Sequence, residues 1–116
     1  MEALKWFRKY KDIQFAPNAF ISREEAVKCV KKLQKLGAKV EIPWDSSTDS
    51  EDDFDYYHDE MIIEMPSTLT KKFDVAMYIY SGGDFPLPDE ISPDSSSRDY
   101  KQVDWKKDKR IVFWWD

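Results

Sequence analysis

The residues with most scope for chemistry stand in one short run. Asp49, Glu51, Asp52, Asp53, Asp55, Asp59 and Glu60 put seven carboxylates between positions 49 and 60. Carboxylates at that density can hold a hard cation, and Asp49, Glu51, Asp53 and Glu60 fall at positions 1, 3, 5 and 12 of a calcium-loop template. Position 6 of the template, where glycine makes the sharp turn, is Phe54. Pro43 and Trp44 precede the run and a strand-like segment follows it, where two helices would be needed, so the spacing argues against an ordered calcium site. His58 is the only histidine and has Asp55, Asp59 and Glu60 beside it, the composition of a general base oriented by carboxylates. A zinc centre wants three or four His, Cys or carboxylate ligands, and the one cysteine, Cys29, is far away in sequence. No nucleophile motif marks Cys29 or any serine. The three glycines, Gly37, Gly82 and Gly83, make no phosphate-cradling loop. No catalytic residue, metal or cofactor is therefore assigned, His58 is read as a surface side chain, and the chain is expected not to be an enzyme.

Recognition is the better use for this run. Phe54, Tyr56 and Tyr57 lie among the acids, away from any apolar period, and large aromatics set in charge are the composition of a binding hot spot. The partner-binding residues expected from sequence are thus Asp49, Glu51, Asp52, Asp53, Phe54, Asp55, Tyr56, Tyr57, Asp59 and Glu60. Charge along the chain points the same way. Residues 1–42 carry ten Lys/Arg against five Asp/Glu, residues 43–70 none against nine, and residues 71–116 eight against nine, for a net charge of −5. So polarised a chain steers its encounters, and the acid block calls for a protein with a basic surface, such as a toxin or a nucleic-acid-binding protein. Tyr78, Tyr80, Trp105 and Trp114 suggest a rival, a stacking platform for single-stranded nucleic acid, but no ribonucleoprotein motif accompanies them and the reading is the weaker one. Two further alternatives are a small-ligand module with its site between helix and sheet and a small hydrolase-like enzyme using His58 and a neighbouring carboxylate.

The elements that must position these residues follow from periodicity. Residues 21–42 are the best specified: Ser22 is an N-cap with Glu25 three residues on, Ile21 is placed to staple onto Ala26, and Ala26, Cys29, Val30, Leu33 and Leu36 form one apolar stripe ending at Gly37. The stripe is expected to bury itself against Val75, Met77 or Ile111, and Cys29 within it to be an inert thiol. A strand at 38–42 follows. Before this unit, residues 2–10 read as a short helix and Ile13 to Phe15 as a brief extended segment. After it, about 45–60 is an acidic loop. Met61 to Met65 is a short apolar strand expected to pair with a second, because Phe73, Val75, Met77 and Ile79 alternate with their neighbours. About 84–99, with Pro86, Pro88, Pro93 and a triple serine, is an irregular loop. Residues 100–105 and 110–115 suggest a terminal hairpin with Ile111, Phe113 and Trp115 on one face and Val112 and Trp114 on the other.

Helices first and strands afterwards predict one α+β domain over residues 1–116, with one or two N-terminal helices packed on a four- to five-stranded, largely antiparallel sheet. Its length suits one core, and apolar residues at 41% and aromatics at 16% supply one richer in rings than in aliphatics. No apolar run is long enough to span a membrane and no secretory signal opens the chain, so the expected compartment is the cytoplasm, with no membrane partner. In size, acidity and lack of a catalytic signature the chain is similar to small intracellular inhibitors such as toxin-immunity proteins and phage-encoded antagonists of bacterial defence. That likeness, one of composition, implies a protein that works by occupying a partner's surface.

Overall fold

The computed structural model describes residues 1–11, 13–43, 57–93 and 103–115, with the side chains of Tyr57 and His58 outside that description. Helix α1 is Ala3–Lys9, strand β1 Gln14–Phe15 and helix α2 Arg23–Lys35; strands β2 (Lys39–Glu41), β3 (Tyr57–His58) and β4 (Glu60–Glu64) follow, then helix α3 (Leu69–Ser81) and strands β5 (Glu90–Pro93) and β6 (Arg110–Trp114). The main sheet runs β2-β4-β6-β5 and is antiparallel throughout, while β1 and β3 make a separate parallel pair. This is an α+β fold with helices on the sheet, as the sequence predicts.

Helix α2 forms where its caps say it should. Ser22 Oγ accepts the Glu25 amide at 3.3 Å, satisfying a donor the helix leaves open. At the other end the Gly37 amide reaches the Gln34 carbonyl at 3.0 Å and the Ala38 amide the Leu33 carbonyl at 3.1 Å, a Schellman pair that needs the left-handed φ of +102° at Gly37. Ala26, Cys29, Val30 and Leu33 are buried, and Leu36, as the C-cap, only partly. The staple from Ile21 does not form: its side chain is 98% exposed. Helix α1 is capped by Glu2, whose carboxylate accepts the Leu4 and Lys5 amides at 3.1 and 3.0 Å and the Gln34 amide group of α2 at 2.8 Å.

One face of every main strand supplies the core. Val40, Met61, Ile63, Ile111 and Phe113 are buried together with the α2 stripe and with Val75 and Ile79. Rings fill the rest: Phe15 lies 5.9, 5.6, 5.9 and 5.8 Å from Trp6, Phe7, Phe20 and Trp115, mostly edge-to-face. Arg23 closes this end of the molecule. Its guanidinium donates to the carbonyls of Ile13, at 2.7 Å, and Phe7, and stands over the Phe7 ring at 5.0 Å.

Three expectations are overturned. The alternation at 73–80 is not a strand but α3: Thr68 Oγ1 caps it by accepting the Lys71 amide at 3.3 Å, and Val75 and Ile79, four apart, are buried while Phe73 and Met77 point out. With Ala76, Tyr78 and Tyr80 interleaved, the segment satisfies both periods, and the cap decides. β4 therefore pairs with β2 and β6. The segment expected as an irregular loop at 84–99 contains β5, which takes the place next to β6 assigned to residues 100–105. Residues 103–109 instead turn around Asp104, whose carboxylate accepts the Lys106 amide at 2.9 Å and whose carbonyl accepts the Asp108 amide at 2.8 Å.

Candidate functional site

Of the ten partner-binding residues expected from sequence, Asp49, Glu51, Asp52, Asp53, Phe54, Asp55 and Tyr56 lie outside the described residues, and with them all of the calcium template but Glu60. Tyr57 and His58 form β3, paired in parallel with Gln14 and Phe15. Asp59 is partly exposed and its carbonyl accepts the Trp115 amide at 3.0 Å. Glu60 opens β4. The acid run thus enters the main sheet at a defined corner, where β4 meets the C-terminal end of β6.

Cross-strand register builds a surface at that corner. Since side chains alternate along a strand, the face opposite the core carries three rows. Lys39, Glu64 and Arg110 make one; Glu41, Ile62, Val112 and Ser92 the next; Glu60, Trp114 and Glu90 the third. Ile62, Val112 and Trp114 are half-buried yet stand outside the core cluster, and no described helix covers them. Glu41 pairs with Arg110 at 3.1 Å, which offsets charge at the end holding Lys39. At the opposite end Glu60 and Glu90 are the cross-strand partners of Trp114 on the two neighbouring strands. Direct cross-strand neighbours have Cβ atoms about 4.5–5.5 Å apart, so one cation lying on the indole could meet both.

Other candidates are dispersed by the fold. Cys29 is buried, its thiol donating to the Asp84 carbonyl at 3.6 Å; burial pushes its pKa up, and the Tyr78 hydroxyl offsets this only in part. Burial likewise raises the Tyr78 hydroxyl. The four rings proposed as a stacking platform do not share a surface: Tyr78 packs on Phe85, Tyr80 meets Trp105 edge-on at 5.5 Å, and Trp114 is on the open sheet face. They separate because Tyr78 and Tyr80 lie on a helix. Among the described residues no three His, Cys, Asp or Glu side chains are grouped to hold a metal, and no helix is long and apolar enough to cross a membrane. The sequence alone does not show this face, because Glu90 and Ser92 lie in a proline-containing stretch without alternation; the separation of Val112 and Trp114 from Ile111 and Phe113 is the part of it that alternation does predict. Comparison with protein-family models, curated proteins and solved structures found no match for this chain.

Proposed function

We propose that this chain is a small protein-binding protein of the cytoplasm, without catalytic activity of its own, that inhibits or antagonises a basic partner by occupying its surface. The acidic and aromatic segment 49–60 makes first contact, and the open sheet face continues the contact beyond Glu60. What supports this reading above all is the position of Trp114 between Glu60 and Glu90 in the strand register, on a face that no described helix covers, at the corner the acid run enters. Carboxylates attract and orient a cationic surface, while a ring supplies the desolvated anchor that rim charges lack.

The test begins with crosslinking from the native host to identify the partner, then measures its binding kinetics. Changing Asp49, Asp52, Asp53 and Asp55 to Asn should slow association and flatten its salt dependence; Phe54→Ala, Tyr57→Ala or Trp114→Ala should chiefly speed dissociation. Wild-type rates for all of these variants at low and high salt would remove the basis for the reading.

A further inference from the structure

Strand order concentrates acid at one end of the open sheet face. Asp59 and Glu60 stand at the start of β4, Asp89 and Glu90 at the start of β5, and Trp114 at the end of β6, the strand between them. Direct cross-strand partners share a face, so Glu60, Trp114 and Glu90 do. Glu90 is exposed, and Glu60 and Trp114 are half-buried. The bases of this face, Lys39 and Arg110, lie two rows away, and Arg110 is paired with Glu41. That polarity selects a cationic occupant.

The register also says which cation fits. Adjacent strands lie about 4.8 Å apart, so Glu60 and Glu90 leave the sheet about 10 Å from each other, with Trp114 midway. A lysine ammonium is a compact charge. To meet both carboxylates it must draw them together over the indole, against their own repulsion and at the expense of the ring contact. An arginine guanidinium is planar, stacks on aromatic faces and carries N–H donors along several edges, so it can lie on the ring and hold a carboxylate at each side. It is also the more weakly hydrated cation, which suits a seat beside the apolar Val112 and Ile62. We propose that the partner residue seated on Trp114 is an arginine, held between Glu60 and Glu90. This assignment rests on the reading of the chain as the binder of a basic partner, and it names the contact residue that partner must present.

The test titrates short glycine-serine peptides, carrying a single arginine, lysine or citrulline, into the isotope-labelled full chain and follows it by NMR. The indole N–H resonance of Trp114, identified by its loss in Trp114→Phe, reports the site. The arginine peptide should shift it with a dissociation constant about tenfold below that of the lysine peptide, and the uncharged citrulline peptide should leave it in place. Glu60→Gln and Glu90→Gln should each bring the two cationic peptides to within about twofold of one another, since a single carboxylate holds a point charge as well as a fork. Equal affinities of the arginine and lysine peptides at Trp114 overturn the assignment and leave the basic-partner reading standing. An arginine preference that survives both glutamine variants overturns it too. A Trp114 resonance that neither cationic peptide moves overturns it and removes the sheet face from the basic-partner reading as well.

Discussion

Arg23 shows how much one side chain can organise. It begins α2, yet its guanidinium bonds carbonyls of Phe7 and Ile13 and covers the Phe7 ring, joining α1, the approach to β1 and α2. Arg23→Ala should cost about 2–3 kcal/mol, measured by denaturant unfolding, as expected for charge-assisted bonds lost from a partly buried site. Arg23→Lys should recover little of it, because an ammonium cannot span two carbonyls with a planar fork. Glu2 gives a pH signature. Burial raises its pKa, but bonds from Gln34, Leu4 and Lys5 and the charge of Arg8 outweigh burial and hold it below the usual 4.5. A lowered folded-state pKa means the unfolded chain binds the proton more tightly. The contribution of Glu2 is therefore complete above 4.5 and fades as pH falls through the lower folded value, and Glu2→Gln should show a shallower loss of stability on acidification over that range. At the proposed recognition surface, Trp114→Ala should weaken partner binding, whereas His58→Ala should leave it intact; the reverse pattern in a binding titration would move the chemistry to the histidine.

At the scale of elements, α2 and α3 teach opposite lessons about caps. Ser22 and Gly37 bracket a stripe with one unambiguous period, and Leu33 in its middle is fully buried. Leu33→Ala should cost about 2–5 kcal/mol in a reversible denaturant titration, the transfer and cavity terms together. Helix α3 has an ambiguous pattern, and its local start signal is the Thr68 hydroxyl. Thr68→Ala should cost about 1 kcal/mol by the same measurement, typical of a lost N-cap. Sheet edges are also managed locally: β5 carries Pro93, which cannot donate to a further strand, and Met1 pairs with Ile42 beside β2 through bonds of 2.8 and 3.1 Å.

Over the whole molecule, charge is divided unevenly along the chain. Residues 43–70 carry nine acids and no base, and like charges at that density repel one another, a cost that a basic partner would relieve. The sheet face continues that acidity through Glu60 and Glu90 on either side of Trp114 in the strand register. The proposed contact through these carboxylates is of the kind that forms fast and is salt-sensitive. Raising the ionic strength from about 0.05 to 0.5 M should therefore slow the proposed partner association, which stopped-flow kinetics at the two salt concentrations would reveal.

The α+β class, α1, α2 with its buried stripe, β2, β4 and β6 were all legible in the sequence, because each rests on one period and on caps or turns within a few residues. Which of Glu60, Asp59 and Tyr57 share a surface with Trp114 was not. That depends on strand order, and strand order depends on α3 being a helix, which frees β4 to pair with β6, and on β5 emerging from a proline-containing segment with no clear alternation. A local pattern reports which side of an element is apolar. Which elements become neighbours is decided by long-range pairing and by the burial of rings such as Phe15 and Trp115, contributed from opposite ends of the chain, and only the tertiary structure brings those ends together.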